Sequence, residues 1–250
     1  MRAGLASPAP TVDRAGGATR VSNRPPALRA GLASLVTIVA LAAPVAAHHV
    51  GTWTPRDNEI SANLKQLKFS MQARKFDVAL RLYEAGAVRR ELRARAVELP
   101  TRLDDEIRAA LGAGDGADAE RGLALVFAVL IRHLARDAES QVADAKASRE
   151  ARAAAGQRFL EAIWRYYNLV DFVIGQRQPK AAAAVRLAFD EAEGYAKGTA
   201  APTAGNPCAG PKRASPGPAD PDKMLEPLRR IARIMSGVIE ALATSTRRDS

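Results

Sequence analysis

Two adjacent histidines, His48 and His49, form the most specific candidate for chemistry in the sequence. They follow an uncharged apolar run, residues 30–47, that ends in small residues as signal peptides do before their cleavage site. Cleavage before His48 would place its imidazole beside a new α-amine, and cleavage one residue earlier would make His49 the third residue of the chain. Both arrangements offer the nitrogen ligands that Cu(II) favours in a square geometry. The sequence therefore raises the hypothesis of a copper site at the mature amino terminus.

A second candidate lies inside the chain, where a histidine and several carboxylates occupy helical positions. His133 and Asp137 are four residues apart, so they lie on one side of a helix, at the edge of its apolar face. Asp171 lies on an inward-facing side of a later helix, and Glu161 flanks that side. Di-iron bundles bind their metals with carboxylates and histidines that project between facing helices. The candidate ligands for copper or iron are therefore His48, His49, His133, Asp137, Glu161 and Asp171.

The internal residues also have an interpretation that needs no metal. Di-iron bundles use the motif Glu-x-x-His, whereas Leu130 stands three residues before His133. Asp171 would then form an ion pair with an arginine such as Arg132 or Arg136. His133 would be a hydrogen-bonded histidine at the edge of the core. The sequence favours this interpretation over the internal metal site.

Catalytic motifs are absent from the sequence. It contains no Gly-x-Ser-x-Gly, no phosphate-binding glycine loop and no Cys-x-x-Cys-His. The only cysteine, Cys208, lies in a Pro/Gly-rich segment, so the chain cannot form an internal disulfide. We therefore expect a protein that is not an enzyme.

Residues 1–47 are predicted to be a leader and a signal peptide of the general secretory route. Arg24 and Arg29 precede the apolar run, as the positive region of a signal peptide does. The alternative is an uncleaved N-terminal helix that anchors the protein in a membrane. The expected location is periplasmic or extracellular.

The net charge of the chain is +10, but part of it belongs to the leader. The first 47 residues hold five arginines and one aspartate, which leaves +6 for the remainder. This charge is spread over helices that also carry many acidic residues, and no helix-turn-helix, RNP or zinc motif accompanies it. The sequence therefore predicts no nucleic-acid partner.

The stretch 159–174, FLEAIWRYYNLVDFVI, is the element around which a core must form. Its apolar residues follow two adjacent helical tracks: Phe159, Ile163, Tyr166, Val170 and Val173 on one, and Leu160, Trp164, Tyr167 and Ile174 on the other. A helix that is apolar on two adjacent faces is expected at the centre of a bundle.

Capping residues predict where the other helices begin and end. Thr101 and Asp104 have the spacing of a capping box ahead of a short helix. Further helix starts are expected near Asp57 or Asn58, Phe76, Asp118, Ser148 and Pro179, and ends or breaks near Gly86, Lys146, Gly175 and Gly198.

The segment 63–86 resembles one tetratricopeptide hairpin at Ala79 and Tyr83. Such repeats stack on copies of themselves, and the chain has no second copy, so the sequence predicts a bundle and not a repeat array.

Residues 198–220 hold five prolines among Gly, Ala and Ser and are predicted to be a flexible linker. The following segment, 221–245, is an amphipathic helix that is basic at Arg229, Arg230 and Arg233. Because its apolar stripe is long, we expect it to dock back onto the bundle. Its basic residues offer a peripheral contact with a membrane surface.

Together these features predict an all-α fold, an antiparallel multi-helix bundle with a disordered Pro/Gly linker and a docked C-terminal helix. The bundle domain is expected over residues 48–197. Two function classes follow: a non-enzymatic exported protein that binds another protein or a small ligand, and a periplasmic protein that handles copper or iron.

Overall fold

The computed structural model describes residues 55–199 and 217–246. Within them the chain forms eight α-helices and one short 3-10 turn, and no strand, which confirms the all-α prediction. The helices are α1 Glu59–Gln72, α2 Phe76–Glu84, α3 Ala87–Ala94, α4 Leu103–Ala113, α5 Gly116–Val142, α6 Arg149–Arg177, α7 Pro179–Lys197 and α8 Pro221–Thr246, and the 3-10 turn is Ala96–Glu98.

The four long helices α5 to α8 form a closed ring, in which each helix packs against the next and α8 packs back along α5. Neighbours in the ring are antiparallel, as expected for up-and-down bundles with short connections. Phe127 of α5 meets Tyr166 of α6 edge to face at 5.3 Å between ring centroids. Arg230 of α8 pairs with Glu191 of α7 at 2.7 Å. The predicted docking of the C-terminal helix is confirmed.

The four short helices α1 to α4 form a second group, which contacts the bundle mainly through α4 on α5 and α1 on α6. Asn63 of α1 holds this group together. Its Nδ2 donates to the carbonyl of Leu82 at 3.1 Å, and its Oδ1 accepts from the amide of Val88 at 3.0 Å. Gly86 lies between those two groups, where a Cβ would come within 2.2 Å of both Asn63 Oδ1 and the Leu82 carbonyl oxygen. The break predicted at Gly86 is therefore also a close approach of two helices.

Several predicted helix ends are correct. Asn58 caps α1 by accepting from the amide of Ser61, and Ser148 caps α6 by accepting from the amide of Ala151. Pro179 occupies the first turn of α7, where its missing N–H costs no hydrogen bond. Gly198 ends α7 at a φ of 66°, in the left-handed region that glycine adopts readily.

Three predicted boundaries are wrong. Thr101 does not cap α4, because Arg102 is the N-cap residue and makes no side-chain cap bond. Gly175 does not end α6, which continues to Arg177, because the turn to α7 is set by the following Gln178 and Pro179. The helix expected over 118–146 spans Gly116–Val142 instead, since Asp115 supplies its cap by accepting from the amide of Asp118.

The described ends of the predicted linker meet each other. The amide of Gly217 donates to the carbonyl of Gly198 at 2.8 Å, and the amide of Asp220 donates to that of Tyr195 at 2.9 Å. The chain therefore leaves the bundle and returns to it at one place. Residues 200–216, with Cys208, lie outside the described residues, so the flexibility of the linker stays a prediction.

The leader and signal peptide, residues 1–47, also lie outside the described residues. Among the helices that the structure does describe, none is long and apolar enough to cross a membrane.

Candidate functional site

His133 lies near the middle of α5 at the edge of the core, with 23% of its side chain exposed. Its Nε2 contacts a carboxylate oxygen of Glu98, which the 3-10 turn places over α5. Arg132 approaches the same Glu98 oxygen at 3.2 Å. The histidine therefore lies in an ion-pair cluster that ties the 3-10 turn to the bundle. This agrees with the interpretation without a metal, in which His133 is a hydrogen-bonded histidine at the edge of the core.

Asp171 pairs with Arg186 of α7, with Arg186 Nε at 3.2 Å from its Oδ1 and a second, shorter contact from the other arginine nitrogen. The prediction that Asp171 pairs with Arg132 or Arg136 is wrong. Both lie on α5, whereas Asp171 is on the side of α6 that faces α7, as the partner shows. Burial, and then the neighbouring Asp171, raise the pKa of Tyr167 above its ordinary value.

The other two internal candidates lie apart from any such cluster. Glu161 pairs with Arg165 one turn along α6, at 3.4 Å, and Asp137 is exposed on α5. Within residues 55–199 and 217–246, no group of three His, Cys, Asp or Glu side chains is placed to hold a metal ion. The structure thus gives each internal candidate its own surroundings and does not bring the four together.

His48 and His49 lie outside the described residues, and the terminal copper site stays a prediction with a direct test. Amino-terminal sequencing of the protein isolated from its cells should find a chain that begins at Ala47 or His48. Titration of that material should find one Cu(II) bound per chain, because the free amine and an imidazole supply adjacent nitrogen ligands. The variants His48→Ala and His49→Ala, with His133→Ala as control, should identify the ligands. A cleaved chain that takes up no copper contradicts the site.

A second polar cluster links α2, α3 and α4, and the sequence analysis missed it. Arg89 holds both oxygens of Asp104 through bonds of 2.9 to 3.1 Å, and Arg93 reaches the same carboxylate at 3.3 Å. The Tyr83 hydroxyl donates to Asp104 at 3.0 Å. Partial burial alone would raise the pKa of Asp104. The bonds from Arg89 and Tyr83 have the larger, opposite effect, so the pKa lies below its ordinary value. The Arg-rich segment of α3 had the pattern of a solvated surface, and only the fold brings Asp104 to it.

Large apolar side chains are exposed on three neighbouring helices. The exposed fraction is 73% for Phe69 on α1, 66% for Phe172 on α6 and 67% for Leu187 on α7, and we call these three residues the apolar surface. Val97, on the 3-10 turn, is also exposed and is not part of it. The sequence held a signal for this surface, because Phe172 lies on neither of the two apolar tracks of α6.

Contacts between the helices place these residues on one side of the molecule. Phe172 and Leu187 directly follow Asp171 and Arg186, which pair across the antiparallel helices α6 and α7. In antiparallel helices, the residues that directly follow the two members of a facing pair point to the same side of the helix pair. Phe69 directly follows Lys68, whose ammonium donates to the carbonyl of Leu169, one turn before Phe172. The three side chains therefore surround two contacts that fix α6 against its neighbours.

Comparison of this chain with protein-family models, with curated proteins and with solved structures finds no match in any of the three.

Proposed function

We propose that this chain is an exported, non-enzymatic helical-bundle protein that binds another protein through the apolar surface of Phe69, Phe172 and Leu187. The observation that carries the proposal is the exposure of three large apolar side chains on one side of a bundle whose other apolar faces are packed. Single exposed apolar residues are ordinary, but a group of them on one face is typical of an interaction site.

The surface is held by a rigid framework. Between α6 and α7, Trp164 packs tilted against Phe189 with 4.6 Å between ring centroids, and Phe189 is fully buried. Asp171 and Arg186 fix the two helices laterally. Helices held in this way need little rearrangement of the main chain on binding, which favours affinity.

The surface also has the composition of a binding site. Phenylalanine is enriched at the centre of protein interfaces, and a polar rim commonly surrounds it. Here the charged residues next to the surface are already engaged, Arg186 with Asp171 and Lys68 with a main-chain carbonyl. A partner would therefore cover apolar groups without leaving these charges unpaired. Export is supported by the apolar run at residues 30–47, which resembles a signal peptide.

The substitution Phe172→Ser should weaken binding of the partner about tenfold or more, because truncation of a central aromatic residue commonly costs about 2 kcal/mol. The melting temperature should stay within about 2 °C of the parent protein, since exposed positions contribute little to stability.

Site-specific photo-crosslinking in the cells that make the protein gives the measurement. A photoreactive phenylalanine at position 187 should form a discrete adduct with another protein, and Phe172→Ser should strongly reduce its yield. The matched control position is Arg158, which is exposed on the same helix as Phe172 and whose side chain has no hydrogen bond or ion pair in the described part of the chain. An adduct between two copies of this chain would mean that the surface mediates self-association and does not bind a different protein. The same adducts from position 158, or none from 187, would contradict the proposal.

A further inference from the structure

A groove runs between α5 and α8, on a pair of helices different from those of the apolar surface. Its volume is about 290 Å³. It is lined by Arg136 and Glu139 of α5 and by Arg229, Ala232, Arg233 and Ser236 of α8. Sites for small ligands begin at about this size.

The walls of the groove carry more positive than negative charge. Arg229 pairs with Glu139 across the groove, with 2.7 Å between nitrogen and oxygen. Arg233 pairs at 2.7 Å with Glu226, which is not part of the lining. The side chain of Arg136 makes neither a hydrogen bond nor an ion pair with any residue that the structure describes. The lining therefore holds three guanidinium groups and one carboxylate, and Glu226 balances Arg233 from outside the lining.

Small side chains on α8 leave the space between these arginines open. Ala232 and Ser236 line the groove one turn apart, and the Ser236 hydroxyl donates to the carbonyl of Ala232. An anion could therefore approach the guanidinium groups without displacing a side chain.

We propose that this groove binds a phosphate-bearing anion. Guanidinium groups bind phosphate through paired N–H donors, and they are desolvated more easily than lysine. Arg136 supplies the charge that has no partner in the described part of the chain, and Arg229 and Arg233 supply donors on the opposite wall. The third arginine of the basic stretch on α8, Arg230, is engaged with Glu191 of α7 and takes no part. The phosphate could belong to a free ion or to a lipid headgroup, and the two sources are separable by experiment.

Calorimetric titration of the folded chain with inorganic phosphate at low ionic strength tests the site. Arg136→Gln should weaken binding about tenfold, the effect of losing one charge-assisted contact. Glu139→Gln should strengthen binding several-fold, about the effect of one released guanidinium group, because Arg229 then loses its internal carboxylate. Arg158→Gln, an exposed arginine on α6, is the matched control and should leave the affinity unchanged. Arg136→Gln and Arg158→Gln change the net charge of the protein by the same amount, so a difference between their affinities cannot arise from the net charge alone.

Vesicles of phosphatidylcholine with and without phosphatidylglycerol distinguish the two sources. Binding of free phosphate with the expected order of variants supports a soluble anion. Binding only to the anionic vesicles, with the same order of variants, supports a lipid headgroup. If neither binds, or if both groove variants bind as the parent does, the proposal is overturned. The site is independent of the proposed protein-binding function, because Phe172→Ser should not change phosphate binding.

Discussion

Replacing Phe189 by alanine should lower the free energy of unfolding by about 3–5 kcal/mol, the range for removing a fully buried phenylalanine. The ring has no exposed area, and its centroid lies 4.6 Å from that of Trp164, which in turn stacks on Tyr167 at 5.9 Å. Alanine would leave a cavity between α6 and α7 and remove the partner of the indole. Urea denaturation followed by circular dichroism gives the measurement.

The matched control for Phe189→Ala is Leu187→Ala, two residues away on the same helix. Leu187 is two-thirds exposed, so its truncation should change the free energy of unfolding by about 0.5 kcal/mol or less. The two substitutions compare the two sides of α7, since Phe189 packs in the core and Leu187 lies on the proposed interface. Equal costs for the two substitutions would show that the assignment of these sides is wrong.

The helices themselves could be predicted because their information is local. The apolar tracks of the stretch 159–174 mark buried positions, and Ser148, Pro179 and Gly198 mark helix ends through bonds or backbone angles within a few residues. The capping box predicted at Thr101 does not form, because the carboxylate of Asp104 binds an arginine side chain and not the backbone amide of Thr101. The fold brings Arg89 to it, and a bidentate ion pair outweighs a single cap bond.

The partners of charged side chains could not be predicted, since they depend on how helices distant in sequence pack. Asp171 lies fifteen residues from Arg186 and Glu98 lies thirty-five residues from His133, and spacing alone does not choose between these partners and others. The apolar surface was predictable in part, because Phe172 breaks the periodic pattern of α6. That Leu187 joins it depends on the pairing of α6 with α7, which only the structure supplies.

The substitution Asp104→Asn should destabilise the protein by about 2–3 kcal/mol at neutral pH, because it removes the negative charge and replaces one of the two acceptor oxygens by an NH2 donor. Asp104 and Arg89 are both mostly shielded from solvent, with side-chain exposures of 21% and 13%. Arg89 would keep its charge and lose the carboxylate that pairs with it. Asp105→Asn is the control. Its carboxylate is 76% exposed and 3.9 Å from Arg108, so its loss should cost about 0.5 kcal/mol or less.

The pH dependence of this difference gives a sharper test of the cluster. The pKa of Asp104 is lowered in the folded state from the ordinary value of 3.8, despite the opposing effect of partial burial, by bonds from Arg89 and Tyr83. A group whose pKa falls on folding stabilises the protein above its unfolded pKa, and this contribution is lost as the pH falls through the folded value. The gap in unfolding free energy between the parent and Asp104→Asn should therefore be constant near neutral pH and should narrow below about pH 4. A gap that is the same in acid as at neutral pH would mean that the carboxylate charge does not hold α2, α3 and α4 together, and that Asp104 acts only through its shape.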